Sequence, residues 1–128
     1  MKNFLVFVVD DDLNIASTLA RILLHEGYPA RFFTSPLEAL DSTRNESPDA
    51  LLVDLKMPGM SGVELAVQML AIFPDCRVLL FSADSHDYTK VETARRMGYH
   101  FDHLIKPVGP ARLVDRVHGY YLDKKLKA

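Results

Sequence analysis

The chain has 128 residues, a length typical of one domain with a sizeable core. Apolar residues make up 48% and charged residues 25%, which excludes a disordered or fibrous protein. Acidic residues outnumber basic ones by 17 to 15, so charge alone is not expected to hold nucleic acid. The single Cys76 excludes an internal disulfide framework, and the apolar opening is too short to span a membrane and lacks a cleavage site. A cytoplasmic protein is therefore expected.

Apolar runs without alternation predict strands that are covered on both faces, as in a parallel sheet. Three strong candidates lie at residues 4–9, 50–53 and 78–81, and two weaker ones at 28–33 and 103–105. Pro29 indicates an edge position for the second strand, because proline cannot donate a hydrogen bond to a central ladder.

Segments with helical periodicity alternate with these strands. The first helix is expected to end at Gly27, Ser-x-x-Glu boxes at 35–38 and 61–64 begin the next two, and 86–98 and 110–126 are the last two. The apolar stripes predicted to face the core are Ile15, Leu19, Ile22 and Leu23; Val63, Val67, Leu70 and Phe73; Val91, Ala94 and Met97; and Leu113, Val117, Tyr120 and Tyr121. Five repeats of strand and helix predict a three-layer α/β domain with right-handed crossovers.

Polar residues follow four of the predicted strands, and the carboxyl ends of parallel strands share one rim. These residues are Asp10, Asp11 and Asp12 after the first strand, Asp54 after the third, Ser82 after the fourth and Lys106 after the fifth. Each has an ordinary explanation when taken singly, and Asp12 in particular is expected to cap the first helix. Two carboxylates about 4 Å apart, however, repel by on the order of 4 kcal/mol at an effective dielectric constant of 20. Lys106 supplies one positive charge, and a bound divalent cation would supply the remainder.

The chemistry of this rim indicates a metal and a reaction. Because the available ligands are all oxygen atoms and few in number, the metal predicted is Mg²⁺ with retained waters. A carboxylate nucleophile beside Mg²⁺, a lysine and a hydroxyl suits phosphoryl transfer to Asp54. Lys106 and the metal would neutralise the phosphoryl oxygens, and Ser82 would donate a hydrogen bond to one of them.

Four motifs carry a resemblance to the response-regulator receiver domains of two-component signalling. They are VVDDD at 8–12, LLVDLKMPGMSG at 51–62, LLFSA at 79–83 and LIKP at 104–107, in the order and at the spacing of that family. The resemblance covers nearly the whole chain and implies a single flavodoxin-like (βα)5 receiver domain over 1–128. Its five-stranded parallel sheet would have the order 2-1-3-4-5.

The same resemblance implies how the acidic residues act. A partner histidine kinase or histidine phosphotransfer protein would phosphorylate Asp54, and the domain would catalyse only its own phosphorylation and dephosphorylation. Asp11 would contact Mg²⁺ directly and Asp10 through a water molecule. Asp54 and the backbone carbonyl of Lys56 would complete the protein ligands.

The resemblance also implies roles for residues around the phosphoryl group. Lys106 would pair with it, Ser82 would swing towards it, and the Lys106–Pro107 bond is expected to be cis. His103 departs from the family, which usually has tyrosine or phenylalanine there as a switch side chain. We expect His103 to act as the switch, and its imidazole suggests sensitivity to pH, since the usual pKa of histidine is about 6.5.

Lys56 and Asp84 stand two residues beyond Asp54 and Ser82, where the family tunes the lifetime of the phosphoryl group. They are predicted to form an ion pair across the entrance of the site, and the alternative is two separately solvated side chains. The 86–98 helix, the 103–105 strand and the last helix would present a face to a downstream effector protein or domain, while the first helix would dock the kinase.

Other interpretations stay open at this point. A Mg²⁺-dependent phosphatase of the haloacid dehalogenase type needs an acid where Lys56 stands, and an interaction module that has lost phosphorylation is disfavoured by the complete set of site residues. His100 and His103 lack a third metal ligand. The Tyr120–Leu122 segment is a candidate for a homodimer contact or for core packing. No contact with nucleic acid or membrane is expected, and the chain is either a stand-alone receiver or part of a longer regulator.

Overall fold

A computed structural model of the chain describes residues 1–83 and 88–127. Within those residues, strands and helices alternate in the order β1 (Val6–Val9), α1 (Leu13–His25), β2 (Ala30–Phe33), α2 (Pro36–Ser42), β3 (Ala50–Asp54), α3 (Gly62–Ile72), β4 (Arg77–Ser82), α4 (Tyr88–Arg96), β5 (Asp102–Ile105) and α5 (Pro110–Lys127). The strands form one parallel sheet in the order β2-β1-β3-β4-β5. The predicted fold, strand order and edge position of the second strand are confirmed.

The sheet separates two cores, because successive residues of each buried strand point to opposite faces. Val6 and Val8 of β1 belong to the core beneath α1 and α5. Phe7 and Val9 of the same strand belong to the core beneath α2, α3 and α4. All four are fully buried, which explains why an apolar run without alternation encodes a central strand. None of the described helices combines the length and the apolar character that crossing a membrane requires.

The ends of α1 follow the predicted capping rules. The carboxylate of Asp12 accepts hydrogen bonds from the backbone N–H groups of Asn14, at 2.9 Å, and Ile15, at 3.3 Å. Gly27 has a φ of +89°, the left-handed conformation that glycine adopts most readily after a helix. Pro29 lies just before β2 rather than within it, and its carbonyl accepts a hydrogen bond from Val6.

The two predicted Ser-x-x-Glu boxes behave differently. Ser61 precedes α3, and its hydroxyl accepts a hydrogen bond from the backbone N–H of Glu64 at 3.2 Å. Ser35 precedes α2 at the expected position, but its side chain makes no capping hydrogen bond. The predicted N-cap position of Ser35 and the position of Pro36 in the first turn of α2 are confirmed, whereas the side-chain hydrogen bond that a capping box requires of Ser35 is absent.

Two predicted apolar stripes need correction. The buried residues of α3 are Gly62, Leu65, Ala66 and Met69. The residues of the predicted stripe, at positions 63, 67, 70 and 73, are only half-buried. Apolar side chains surround most of α3, so the sequence pattern does not single out the face towards the sheet. Met97 is 72% exposed because α4 ends before it, whereas Val91 and Ala94 are buried as predicted.

The last helix packs through the residues expected of it. Leu113, Val117 and Tyr120 are buried, and Tyr121 is half-buried against the same core. The hydroxyl of Tyr120 donates a hydrogen bond to the carboxylate of Asp102 at the start of β5. Core packing and this hydrogen bond therefore account for Tyr120 without a dimer contact.

Candidate functional site

The carboxyl ends of β1, β3, β4 and β5 lie side by side, because these strands are neighbours in one parallel sheet. Val9 at the end of β1 is paired in register with Val53, the residue before Asp54 in β3. Ser82 at the end of β4 is paired with Ile105, the residue before the predicted lysine. The sheet therefore places the residues singled out from the sequence at adjacent positions on one rim.

Lys106 links two of the carboxylates on this rim. Its Nζ atom lies 3.1 Å from Oδ2 of Asp10 and 3.3 Å from Oδ1 of Asp54. Its backbone N–H donates a hydrogen bond of 2.7 Å to the carbonyl of Ser82, which ties the segment after β5 to the end of β4. The Lys106–Pro107 peptide bond is cis, as expected.

Three carboxylates gather around this lysine. One oxygen atom from each of Asp10, Asp11 and Asp54 lies within 4.8 Å of the others. Asp10 and Asp54 are buried, whereas Asp11 is exposed and faces the solvent from which an ion would arrive. Asp12 is not part of the group, because its side chain caps α1 and its backbone N–H donates to Asp10 Oδ1 at 2.9 Å.

This donor set fits a hard divalent cation. The group consists of carboxylate oxygens alone, and three negative charges face one ammonium. Among the residues the structure describes, it is the one cluster of three or more possible metal ligands. His100 and His103 belong to no such cluster within that part of the chain.

The carboxylates of the site outnumber its ammonium group, and this excess of negative charge affects the pKa values of Asp54 and Lys106. Burial is the largest effect that raises the pKa of Asp54 above its usual value, and the charges of Asp10 and Asp11 raise it further. The ammonium of Lys106 acts in the opposite direction but does not compensate fully. Burial would lower the pKa of Lys106, yet hydrogen bonds and attraction to Asp10 and Asp54 outweigh it, so this pKa is raised. A second cation would favour the ionised form of Asp54.

Gly62 is a site-forming residue that the sequence analysis did not single out. A Cβ atom at this position would overlap the backbone carbonyl oxygen of Asp54. The loop between β3 and α3 can fold back against Asp54 only because that atom is missing, and the Gly62 N–H then donates to the Leu55 carbonyl at 2.8 Å. The signal was present in the MPGMSG segment, where a glycine opens a helix directly after a serine cap.

Ser82 and His103 contact each other beside this cluster. The hydroxyl Oγ of Ser82 lies 2.8 Å from Nε2 of His103, and Ser82 is only 1% exposed. The two side chains come from neighbouring strands, since Leu80 of β4 is the partner of His103 in β5. The role of His103 as a switch stays a prediction, and the structure shows its ring in contact with Ser82.

Lys56 lines a cleft of about 490 Å³ between the segment that follows β3 and the start of α4. The other residues around this cleft are Leu55, Met57, Pro58, Ser61, Thr89 and Lys90. Asp84, the predicted partner of Lys56, lies outside the described residues, so the ion pair between them stays a prediction.

Comparison with known proteins identifies the family. The family model of the response regulator receiver domain matches residues 6–118. The Transcriptional regulatory protein CreB of Escherichia coli (strain K12) is 34% identical to this chain over an alignment of 120 residues that covers 91% of this chain and 50% of that protein. The Sporulation initiation phosphotransferase F of Bacillus subtilis (strain 168) is 31% identical over 120 residues, 94% of this chain and 95% of that protein.

The lengths of these relatives differ. The chain spans 50% of CreB and 27% of the DNA-binding transcriptional regulator NtrC of Klebsiella pneumoniae, to which it is 34% identical over 128 residues. A solved response regulator receiver domain protein from Clostridium thermocellum superposes with a TM-score of 0.86 at 27% identity, covering 98% of this chain and 99% of that one. The chain belongs to the response regulator receiver domain family.

Proposed function

We propose that this chain is a phosphoacceptor switch in which Asp54 receives a phosphoryl group, and that residues 1–128 form a single receiver domain. The observation that carries the proposal is the position of the Lys106 ammonium, in contact with both Asp10 and Asp54. A lysine held beside the nucleophile by a second, buried carboxylate is placed to pair with phosphoryl oxygens as they arrive.

The reaction that this arrangement suits is an in-line displacement at phosphorus. A carboxylate oxygen of Asp54 attacks the phosphorus of a phosphohistidine, a P–O bond forms, and the P–N bond breaks with its electron pair going to the imidazole. Lys106 pairs with the transferred oxygens, and Ser82 donates a hydrogen bond to one of them. Water later attacks the same phosphorus, the bond between phosphorus and the Asp54 oxygen breaks with its electron pair returning to the carboxylate, and phosphate leaves. The domain would catalyse only this phosphorylation and dephosphorylation of itself.

The residues that would hold Mg²⁺ are Asp10, Asp11 and Asp54, together with the backbone carbonyl of Lys56. When bound, this ion supplies positive charge that neutralises the phosphoryl oxygens and favours the ionised form of Asp54. Asp11 is the exposed member of the set, and Asp10 is held by both Lys106 and a backbone N–H.

Two surfaces are proposed for protein partners. A histidine kinase or histidine phosphotransfer protein would dock on α1, where an apolar cleft of about 530 Å³ lies next to Lys106. This cleft is lined by Asn14, Ile15, Thr18, Leu19, Phe81, Lys106, Pro107 and Val108. A downstream effector, or a second copy of the chain, would contact the face formed by α4, β5 and α5. The protein would act in the cytoplasm without binding nucleic acid itself.

The test is to incubate the purified chain with acetyl phosphate in the presence and absence of Mg²⁺ and to measure its intact mass. We expect a mass increase of one phosphoryl group that requires Mg²⁺ and is absent from the Asp54→Asn variant. An unmodified wild-type chain under all conditions would contradict the proposal and favour an interaction module that does not depend on phosphorylation. Steady release of phosphate from small phosphate esters would instead favour a phosphatase.

A further inference from the structure

The hydroxyl of Ser82 contacts a ring nitrogen of His103. Either group can be the donor of the hydrogen bond between them, and the other is then the acceptor. Oγ and Nε2 lie 2.8 Å apart, a distance typical of a hydrogen bond. A serine hydroxyl has one proton to donate and two lone pairs, whereas Nε2 donates when it carries a proton and accepts when it does not. A distance of 2.8 Å is therefore compatible with two states, one in which Ser82 donates to His103 and one in which His103 donates to Ser82.

The direction of this hydrogen bond decides what Ser82 offers to the phosphorylation site. When Ser82 donates to His103, its single proton is engaged by the ring. When His103 donates to Ser82, the serine proton can point towards another acceptor. A phosphoryl group on Asp54 presents only acceptor oxygens, so it favours the second state. A hydrogen bond to such a charged acceptor is stronger than one between neutral groups. The bond from His103 to Ser82 and the bond from Ser82 to the phosphoryl group would also strengthen each other through polarisation.

The surrounding backbone holds the pair in place. Ser82 is 1% exposed, and its carbonyl accepts the 2.7 Å hydrogen bond from the Lys106 N–H. His103 is three residues before Lys106 on the same strand and segment. The hydroxyl donor and the ammonium are therefore both positioned by the hydrogen-bonded edge between β4 and β5.

We infer that His103 is a positioning residue, whose Nε2–H donates to Ser82 and thereby directs the Ser82 hydroxyl proton to the phosphoryl group on Asp54. This inference rests on the proposed function and adds a chemical role for the imidazole. The imidazole would donate a hydrogen bond to Ser82. A phenylalanine at position 103 could not do so, because its ring has no N–H or O–H group.

The matched variants are His103→Gln, which keeps an N–H donor at a similar distance from the backbone, and His103→Leu, which keeps apolar bulk without a donor. Each is titrated with fluoroberyllate in the presence of Mg²⁺ by isothermal titration calorimetry. We expect His103→Leu to weaken binding by roughly tenfold and His103→Gln by less than about threefold. Equal weakening in both variants would overturn the inference, because a packing role does not distinguish them in this way.

A second comparison asks whether His103 acts through Ser82. In a Ser82→Ala background, replacing His103 by leucine should cause no further weakening, whereas the full tenfold loss in that background would overturn the inference. NMR of the wild-type chain provides a test that does not depend on whether the variants fold. Histidine ring ¹⁵N signals should show a proton on Nε2 of His103 in the fluoroberyllate complex, and an unprotonated Nε2 there would contradict the assignment.

The failure of this inference can be distinguished from failure of the proposed function. If the wild-type chain binds no fluoroberyllate and forms no adduct at Asp54, both are wrong. If the wild-type chain binds and the two His103 variants bind as tightly as it does, only the role given to His103 is wrong.

Discussion

The ammonium of Lys106 lies 3.3 Å from Oδ1 of Asp54, so the segment after the edge strand β5 contacts the end of the central strand β3. The same ammonium reaches Asp10 after β1, at 3.1 Å. One side chain thus joins the ends of three strands. A change in charge at Asp54 consequently acts directly on the segment that also carries His103, which links the chemistry of the site to the β5 edge.

Replacing Lys106 by methionine is expected to destabilise the fold although it removes no core residue. Asp10 is 1% exposed, and without the ammonium its charge would stay buried and uncompensated. We expect the free energy of unfolding in metal-free buffer to fall by about 2 kcal/mol. Urea unfolding of Lys106→Met measures this loss, and the loss should be much smaller in an Asp10→Asn background. Equal losses in the two backgrounds would show that the lysine does not act by compensating Asp10.

Asp54→Asn is expected to stabilise the metal-free protein at neutral pH. Because burial and the neighbouring acids raise the pKa of Asp54, the folded state binds a proton there more tightly than the unfolded state. The contribution of Asp54 to stability therefore falls as the pH rises from the ordinary pKa of 3.8 through the higher folded value.

Asparagine does not titrate, so the variant should be more stable than wild type at neutral pH by on the order of 1 kcal/mol. The difference should shrink as the pH falls towards 3.8. Urea unfolding of both proteins over a pH series measures it. A variant that is less stable than wild type at every pH would show that Asp54 is not under electrostatic strain.

Asp11 and Asp12 are neighbours in sequence with different expected responses to metal. Asp11 belongs to the carboxylate group, whereas Asp12 caps α1. Mg²⁺ should raise the melting temperature of wild type and of Asp12→Asn, because asparagine is as good an N-cap as aspartate. Asp11→Asn should lose this response.

Asp12→Ala should lose about 1 kcal/mol of stability with or without Mg²⁺. Thermal unfolding at increasing Mg²⁺ concentrations compares all of these variants. A Mg²⁺ response that disappears with Asp12→Asn but survives Asp11→Asn would reverse the assignment.

Gly62→Ala is expected to damage the site through the backbone. The added methyl group would overlap the Asp54 carbonyl, so the loop after β3 must move. We expect a loss of about 2–3 kcal/mol in the free energy of unfolding and slower phosphorylation by acetyl phosphate. Gly119→Ala in α5 is the control, since a Cβ atom there meets nothing within 4 Å. That substitution should stabilise the chain by about 0.5–1 kcal/mol, and similar behaviour of the two variants would rule out a special role for Gly62.

The fold and the composition of the rim were predictable because they depend on patterns that the sequence displays directly. A parallel sheet covered on both faces requires strands such as VFVV and ALLVD, in which every residue is buried. The carboxyl ends of such strands must share one edge. The convergence of Asp10, Asp54 and Lys106 follows from the order of the strands and needs no side-chain detail.

The features that escaped prediction depend on three-dimensional geometry. The face of α3 towards the sheet could not be read because apolar residues occupy both Leu65 and Val67, and only packing decides which is buried. The Ser82–His103 hydrogen bond depends on a ring orientation that no spacing specifies. The need for glycine at position 62 arises from a loop that folds back on Asp54, which becomes visible only with coordinates.

Phosphorylation of Asp54 can be tested by locating the phosphoryl group after reaction with a phosphorylated histidine donor and Mg²⁺. Borohydride reduces an acyl phosphate of aspartate to homoserine, which peptide mass spectrometry then assigns to a position. We expect homoserine at position 54 and nowhere else, and none when Mg²⁺ is withheld. Homoserine at another aspartate, or a phosphoryl group retained on a different type of residue, would contradict this expectation.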